Sequence, residues 1–513
     1  MNVYEIIAFC IYFIFVTGIG VFFFIKNKNG GEKDYFLGGR QMGGWVSALS
    51  AGASDMSAWV LMGLPGAIYL SGMSQLWISI GLVIGTILSW VFIAPKLRKY
   101  AVVAGDAITV PEFLSNRFKS KNPVLRIACA VVFVVGYLIY AASSIYACGK
   151  LVNMLVPEVS KAVGMIIFTI IILVYTLLGG FKAVCWTDFF QGMLMLGALM
   201  IVPIIMSISM GASGVIGGAG APSADYYSLL VGGKLDWTSI ANILTGLGWG
   251  LGYFGMPHII VRYMAIKSKK ELRKSQIIGS TWTFLILTAT TILAILARDY
   301  LPVALDSSNK ELVFAVVVRK IFGYGALALV GGLLISAIIA ASMSTADSQL
   351  LASSSAFASD IYKTAINKKA TDKQVLNVGR IAVVGVTLVA FGLALLVYLL
   401  NITDLMGLVS AAWSIFGAAF GPIVILSLFW KRFNYKGAVA GILTGFCVSI
   451  LWMVLCNLEY YGFISVIINT QLYELVPGFI ISMLVSVIVS LVTKAPSKEI
   501  VEMHNKVNNI QEY

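Results

Sequence analysis

Histidine is nearly missing from this chain: His258 and His504 are the only two in 513 residues. A haem or zinc enzyme built on imidazole ligands needs more, so bound redox chemistry is not expected. Cysteine is sparse as well. Cys10, Cys129, Cys148, Cys185, Cys447 and Cys456 fall in or beside apolar stretches, with no Cys-x-x-Cys spacing. They read as small core hydrophobes, which sets aside a disulfide framework or a cysteine metal site. No nucleophile–base pair stands out either, so no enzyme is expected. Charge is the largest deficit, at 12% of residues against about 25% in a soluble domain. With 59% hydrophobic residues, the chain reads as an all-α polytopic membrane protein.

What is present is a series of long apolar runs. Windows of roughly 20 residues give about thirteen transmembrane segments. They begin near Val3, Gly43, Ser74, Val124, Ala162, Phe189, Ser239, Gln276, Gly323, Val375, Leu405, Gly437 and Glu474. The first is expected to be retained: Glu5 stands where a signal peptide has its basic region, and Lys26 and Lys28 follow the apolar stretch. Of 36 Lys and Arg, 29 fall in the odd-numbered connections and the C-terminal tail, and six in the even-numbered ones. The positive-inside rule then puts the N-terminus outside a cell membrane and the C-terminus in the cytoplasm. The net charge of +13 therefore faces lipid headgroups, and nucleic acid is not an expected partner. The longest connections are 96–123, 211–238 and 298–322, so no separate soluble domain is expected. Within the first of these, Ala104–Leu114 reads as a short interfacial helix with Pro111 in its first turn. The polar tail 494–513 is expected to be poorly ordered.

Two segments are unusually interrupted. The second carries Gly52, Gly63, Pro65 and Gly66, and the seventh packs Gly246, Gly248, Gly250, Gly252, Gly255 and Pro257 into one span. Broken helices at matching places in two halves mark the binding site of inverted-repeat transporters. The alternative is that the glycines only let helices approach closely. The five-span offset favours repeats at 43–211 (spans two to six) and 212–430 (spans seven to eleven). A first span and loop at 1–42, peripheral spans at 431–493 and the tail 494–513 complete the chain.

Asp55 lies in the middle of the second segment, where a carboxylate costs roughly 2.5–3.5 kcal/mol on insertion scales. Asp55 and Asp347 are the only acidic residues expected deep in the membrane. In the ninth segment Ala341, Ser344 and Thr345 share one helical face and offer neutral oxygens, which a hard cation such as sodium prefers. Carbonyls near Ala53 and Met56 can complete that shell. Such hydroxyls also commonly bond a carbonyl one turn back, so the spacing alone leaves both readings open. Asp347 can be a cation way-station, a proton-titrating group or a carboxylate in a watery cytoplasmic vestibule. In the seventh segment Trp249, Tyr253 and Pro257 recur every four residues as a stripe. Packing and binding both fit a stripe. An aromatic wall beside a half-helix N-terminus suits a zwitterionic amino acid with a compact ring.

Three stretches carry a family likeness: Ala53-Ser-Asp-Met-Ser57 with Trp59 and Leu61–Ala67, the region from Gly164 to Ala183, and Gly248–Arg262. Over nearly the whole chain they resemble the sodium/solute symporter family, most closely its proline-transporting branch. The resemblance implies a LeuT-type five-plus-five inverted repeat and sodium-driven import of L-proline by alternating access. It also implies a sodium site of Ala53, Met56, Ala341, Ser344 and Thr345. Asp55 would support coupling as a source of negative field beside that site, and Ser57 would lie between ion and substrate. The proline pocket would involve Ser57, Tyr140, Trp249, Tyr253 and Pro257, and Arg40 would mark a cytoplasmic-side position tied to sodium use. No resident cofactor is implied, only sodium as a co-transported ion. Ala58 departs from a familiar glycine, and Asp347 from a small neutral residue in some relatives. Rival readings are the same machine with another amino acid or pantothenate, a channel, or a transporter-like solute sensor. The sensor needs a signalling domain, and none of kinase size is expected beyond Lys494.

Overall fold

The computed structural model describes residues 2–26, 31–120, 122–213, 223–401, 404–456 and 472–509, which excludes part of the expected loop 211–238. The described residues form helices throughout, with one isolated parallel bridge between Met42 and Ile266. Ten helical stretches among them are long and apolar enough to cross a membrane, fewer than the thirteen segments expected. The difference lies in interrupted spans. The second segment breaks after Asp55, and its later part runs into the third as one stretch, Trp59–Val103. The fifth is a shorter apolar helix, Lys161–Val174, and the seventh is split into three pieces.

Local chemistry explains the joints. The first half of the second segment is helix α1 here (Gly44–Asp55), and the second half is α2 (Leu64–Ser71), with Pro65 in its first turn. The seventh segment runs as α3 (Trp237–Gly248), a tight three-residue-per-turn stretch Trp249–Phe254, and α4 (Pro257–Ala265). Asp236 caps α3 by accepting from Ser239 N–H at 2.9 Å. The glycines of this segment also pack: a Cβ on Gly250 would fall 2.2 Å from the Gly81 carbonyl, and one on Gly85 2.2 Å from that of Gly250. Close approach and helix breakage therefore coexist in one span.

Helix α5 (Leu327–Ser355) is buried along most of its length and carries Ser344 and Thr345 at its middle. Its neighbours include the long helical stretch Lys161–Ser213, α6 here, which turns at Gly180 with φ +61°.

Three expectations are corrected. The short interfacial helix begins at Val110, with Thr109 as its cap, because Gly105 and Asp106 turn the chain at positive φ before it. The tail is not disordered at 498–509. Lys498–Asn509 is a helix whose buried Ile500, His504 and Val507 recur on one face, and it packs on Ala94–Val103. Glu499 pairs with Lys119 at 2.7 Å. Burial, with Arg117, Lys96 and Lys431 nearby, pushes the His504 imidazole down to about 4, so it docks uncharged. Finally, Asp55 and Asp347 are not the only deeply placed acids: Asp188 and Asp360 are fully buried within apolar helical stretches.

Candidate functional site

The break in the second segment releases backbone oxygens. Ser57 N–H turns to the Asp55 carbonyl at 3.0 Å, so the Ala53 carbonyl loses its helical donor. Met56 itself leaves helical geometry at φ −82°, ψ 73°. The Ala53 oxygen instead faces Ser344 Oγ of α5 at 2.8 Å, and Ser344 Oγ is 3.1 Å from the Ala341 carbonyl. One hydroxyl proton serves only one of these carbonyls at a time. Beside it, Thr345 Oγ1 is buried without a hydrogen-bond partner among the described residues. Ala53, Met56, Ala341, Ser344 and Thr345 are all at 0% exposure. Two carbonyls sharing one serine proton, beside a threonine hydroxyl whose lone pairs are unused, are neutral oxygen donors of the kind a hard monovalent cation takes. The back-bonding alternative is half right: Ser344 does reach one turn back, and Thr345 does not.

Asp55 lies beside this cluster in sequence and faces the seventh segment. Its Oδ2 accepts the Tyr253 hydroxyl, and its Oδ1 is buried with no partner among the described residues. Its carbonyl takes the Tyr140 hydroxyl at 3.0 Å and the Trp59 indole N–H at 3.2 Å. Ser57 is fully buried at the same break, and its Oγ accepts weakly from Trp59 N–H at 3.4 Å.

Around these groups stand aromatic rings. Trp249 lies 6.3 Å from Trp59, 6.4 Å from Trp413 and, stacked, 4.9 Å from Tyr473. Trp413 also donates its indole N–H to the Trp249 carbonyl at 2.8 Å and meets Tyr253 edge-on at 5.3 Å. Tyr140, Ser57, Trp249 and Tyr253 are thus brought together about Asp55 and Trp59. Pro257 is not. The stripe assumed a continuous helix, but the tight turns over Trp249–Phe254 and the break at Gly255–Met256 rotate Pro257 away. It lines a separate small cavity with Phe133, Val261, Arg262 and Ser348.

Arg40 also lies apart from the oxygen cluster in its bonding. Held at φ +56°, it pairs with Asp106 at 2.7 Å and donates to the carbonyls of Met264 and Ala107 at 2.5 Å each. It ties the chain entering α1 to the end of α4 and to loop 104–109. Asp347 is at 0% exposure, its Oδ1 3.4 Å from Ser348 Oγ, so no open watery vestibule surrounds it in this conformation.

Sequence reasoning missed a buried ion pair. Arg262 Nη2 lies 2.8 Å from Asp188 Oδ2 and 2.6 Å from Ser348 Oγ, while Arg262 Nε and Asp188 each bond Ser50 Oγ at 2.6 Å. The third guanidinium nitrogen donates to the His258 carbonyl. One network thereby joins α1, α4, α5 and α6. Trp413 and Tyr473 were missed too, since only the folded chain brings them onto Trp249.

Comparison with known proteins agrees with this architecture. The chain is 40% identical to the high-affinity proline transporter PutP of Bacillus subtilis over 489 residues, covering 95% of this chain and 98% of that protein. It is 37% identical to the osmoregulated proline transporter OpuE of the same organism, covering 97% and 96%. A sodium/proline symporter of Staphylococcus aureus is 38% identical, covering 98% and 96%. Among solved structures, a Na+-coupled sialic acid symporter in a substrate-bound outward-open state superposes with a TM-score of 0.76 at 20% identity, covering 97% and 99%. MhsT in complex with L-phenylalanine gives 0.54 at 15%, covering 86% and 98%. At those identities the likeness concerns the fold alone, which is the LeuT-type inverted-repeat architecture. Residues 35–445 match the description of one family throughout. The chain belongs to the sodium:solute symporter family.

Proposed function

We propose that this protein imports L-proline across the cell membrane by symport with sodium, using alternating access. The observation that carries the reading is similarity at 37–40% identity, over almost the whole chain, to proteins named as proline transporters. The site geometry supports it. Sodium enters the oxygen cluster of Ala53, Met56, Ala341, Ser344 and Thr345 as cargo; no resident cofactor or catalytic chemistry is invoked. Proline sits against Trp249, Tyr253 and Tyr140 near Ser57, with Pro257 on the route beyond. Sodium binding across α1 and α5 favours the outward-facing form and raises proline affinity through differential binding to that state. The repeats are 43–211 and 212–430, and the basic connections place the N-terminus outside and the C-terminus in the cytoplasm. Arg40 and Asp347 act in coupling on the cytoplasmic side.

The direct test is labelled proline uptake into proteoliposomes with and without an imposed sodium gradient. Accumulation against a proline gradient is expected only with inward sodium, and equal uptake in both conditions would sink the coupling. Competition by unlabelled amino acids and pantothenate decides the substrate.

Thr345 gives a sharper measurement. Removing one oxygen ligand costs about 1.5–3 kcal/mol, as for a hydrogen bond to a charged group. Thr345→Ala is therefore expected to raise the sodium half-saturation about tenfold or more. Thr345→Ser, which keeps the hydroxyl, is expected to restore most of it. An unchanged sodium dependence in Thr345→Ala would remove this residue from the site.

A further inference from the structure

Beside the inner half-helix α1 lies a feature that the transport reading does not use. The first helix of the chain, Val3–Lys26, and the start of the sixth span enclose a cavity of about 390 Å³. Its polar end is lined by Lys26, Lys182, Gly43, Gly44 and the exposed Trp45. Phe23, Lys26 and Trp186 are shared with an adjoining groove of about 630 Å³ that runs along the first helix past Phe22, Ile19, Gly18 and Phe15. The groove is walled by rings: Phe23 stacks on Trp186 at 6.3 Å, and Phe15 meets Phe190 edge-on at 5.1 Å. Phe15, Phe22 and Ile14 are exposed on a helix long and apolar enough to cross a membrane.

Among the described residues, the two lysines at the polar end have little opposing charge. Lys26 is exposed and rests over the Phe22 ring at 5.6 Å. Lys182 stands 3.6 Å from Asp34, a pair open to water and therefore weak. The one carboxylate lining the cavity, Glu271, is already engaged: it accepts Gly44 N–H at 2.7 Å and pairs with Lys274 at 3.0 Å. Two ammonium groups and a tryptophan at the mouth of an apolar groove match a phosphate headgroup with an acyl chain below it.

We propose that this cavity and groove bind one anionic phospholipid, its phosphate between Lys26 and Lys182 and a chain along Gly18 and Phe15. The headgroup rests on Gly43-Gly44-Trp45, the first turn of the half-helix that ends at Asp55. A lipid seated there holds the inner end of α1, the element that carries Ala53 and Asp55, and so sets how readily that half-helix moves during transport.

Two readouts test this. Native mass spectrometry of the full-length protein, purified from membranes containing phosphatidylglycerol and phosphatidylcholine, should show retained phosphatidylglycerol in preference to the neutral lipid. Lys26→Gln/Lys182→Gln should reduce that retention about tenfold. Gly18→Phe fills the groove, and a Cβ there meets no protein atom within 4 Å, so the ring leaves the backbone into the groove and should lower retention without disturbing the fold. In vesicles, phosphatidylglycerol should raise the proline uptake rate of the unmodified protein several-fold over phosphatidylcholine alone. Both variants should match the unmodified protein in the neutral lipid and lose the stimulation. Equal retention of both lipids means bulk annular lipid only and overturns the site. Loss with the lysine variant but not with Gly18→Phe means that the headgroup binds without a chain in the groove, and overturns the placement along Gly18 and Phe15. The uptake arm rests on the proposed function. Absence of uptake in every lipid counts against that reading, and retention then decides this one.

Discussion

Replacing Asp55 by asparagine is expected to raise the sodium half-saturation of proline uptake about a hundredfold while leaving the protein folded. Asparagine keeps the volume and can still accept the Tyr253 hydroxyl, so the substitution removes little besides charge. Asp55 is 1% exposed, and among the described residues no cationic side chain bonds it. At a separation of about 5 Å and an effective dielectric of about 20, a carboxylate and a cation attract by about 3 kcal/mol, or about two orders of magnitude in affinity. The same burial makes the charge costly to the fold, so Asp55→Asn should unfold no more readily than the parent. Stability and function then move in opposite directions, which a merely structural role would not produce. The check is initial uptake rate against external sodium, with thermal unfolding of the purified variant alongside. An unchanged sodium dependence with weakened proline affinity would instead make Asp55 an anchor for the Tyr253 side of the substrate pocket.

The fold was largely legible because a bilayer demands long apolar segments, and those segments announce themselves. The breaks were legible for a complementary reason: glycine and proline inside such a run at Gly52–Pro65 and Gly246–Pro257 disfavour continuous helix. The pairing of Ser344 with the Ala53 carbonyl fits these two facts together, since a hydroxyl face and a released carbonyl seven spans away supply donor and acceptor to each other. What stayed hidden depends on where the backbone turns. Asp188 fell one residue before the expected start of the sixth span. The turn at Gly180 sets that helix going earlier and carries the carboxylate inside. Arg262 follows the apolar seventh segment as the first of several basic residues, yet the break at Gly255–Met256 restarts the helix at Pro257 and leaves Arg262 buried at 2% exposure. The same break undid the four-residue stripe. Tyr473 reaches Trp249 from more than 200 residues further along the chain, and no local spacing records such a contact. In the tail, three buried residues among polar ones were too short a pattern to outweigh composition.

The Arg262–Asp188 pair carries the other large effect. Arg262→Met is expected to destabilise the protein by about 3–5 kcal/mol, because it strands a carboxylate where water cannot reach. Among the described residues one Asp188 oxygen has no partner, and losing the guanidinium leaves Ser50 and Ser348 as the donors to the other. Asp188→Asn should cost a similar amount by stranding the cation, although the His258 carbonyl and two serine hydroxyls still hold Arg262. The double variant Arg262→Met/Asp188→Leu removes both charges and should recover most of the stability, since a buried pair gains little over a packed apolar replacement. Thermal unfolding of the two single variants and the double variant in detergent measures this as a coupling energy. If the double variant is as unstable as either single, the serines and the His258 carbonyl, not the charge pair, set the cost. Uptake separates stability from mechanism. The network ties the half-helix α1 to α4, α5 and α6, so a protein that folds without it keeps its oxygen cluster but loses the polar links between those helices. The double variant is therefore expected to fold, bind sodium and accumulate proline poorly. Restored folding with full accumulation would make the pair structural alone.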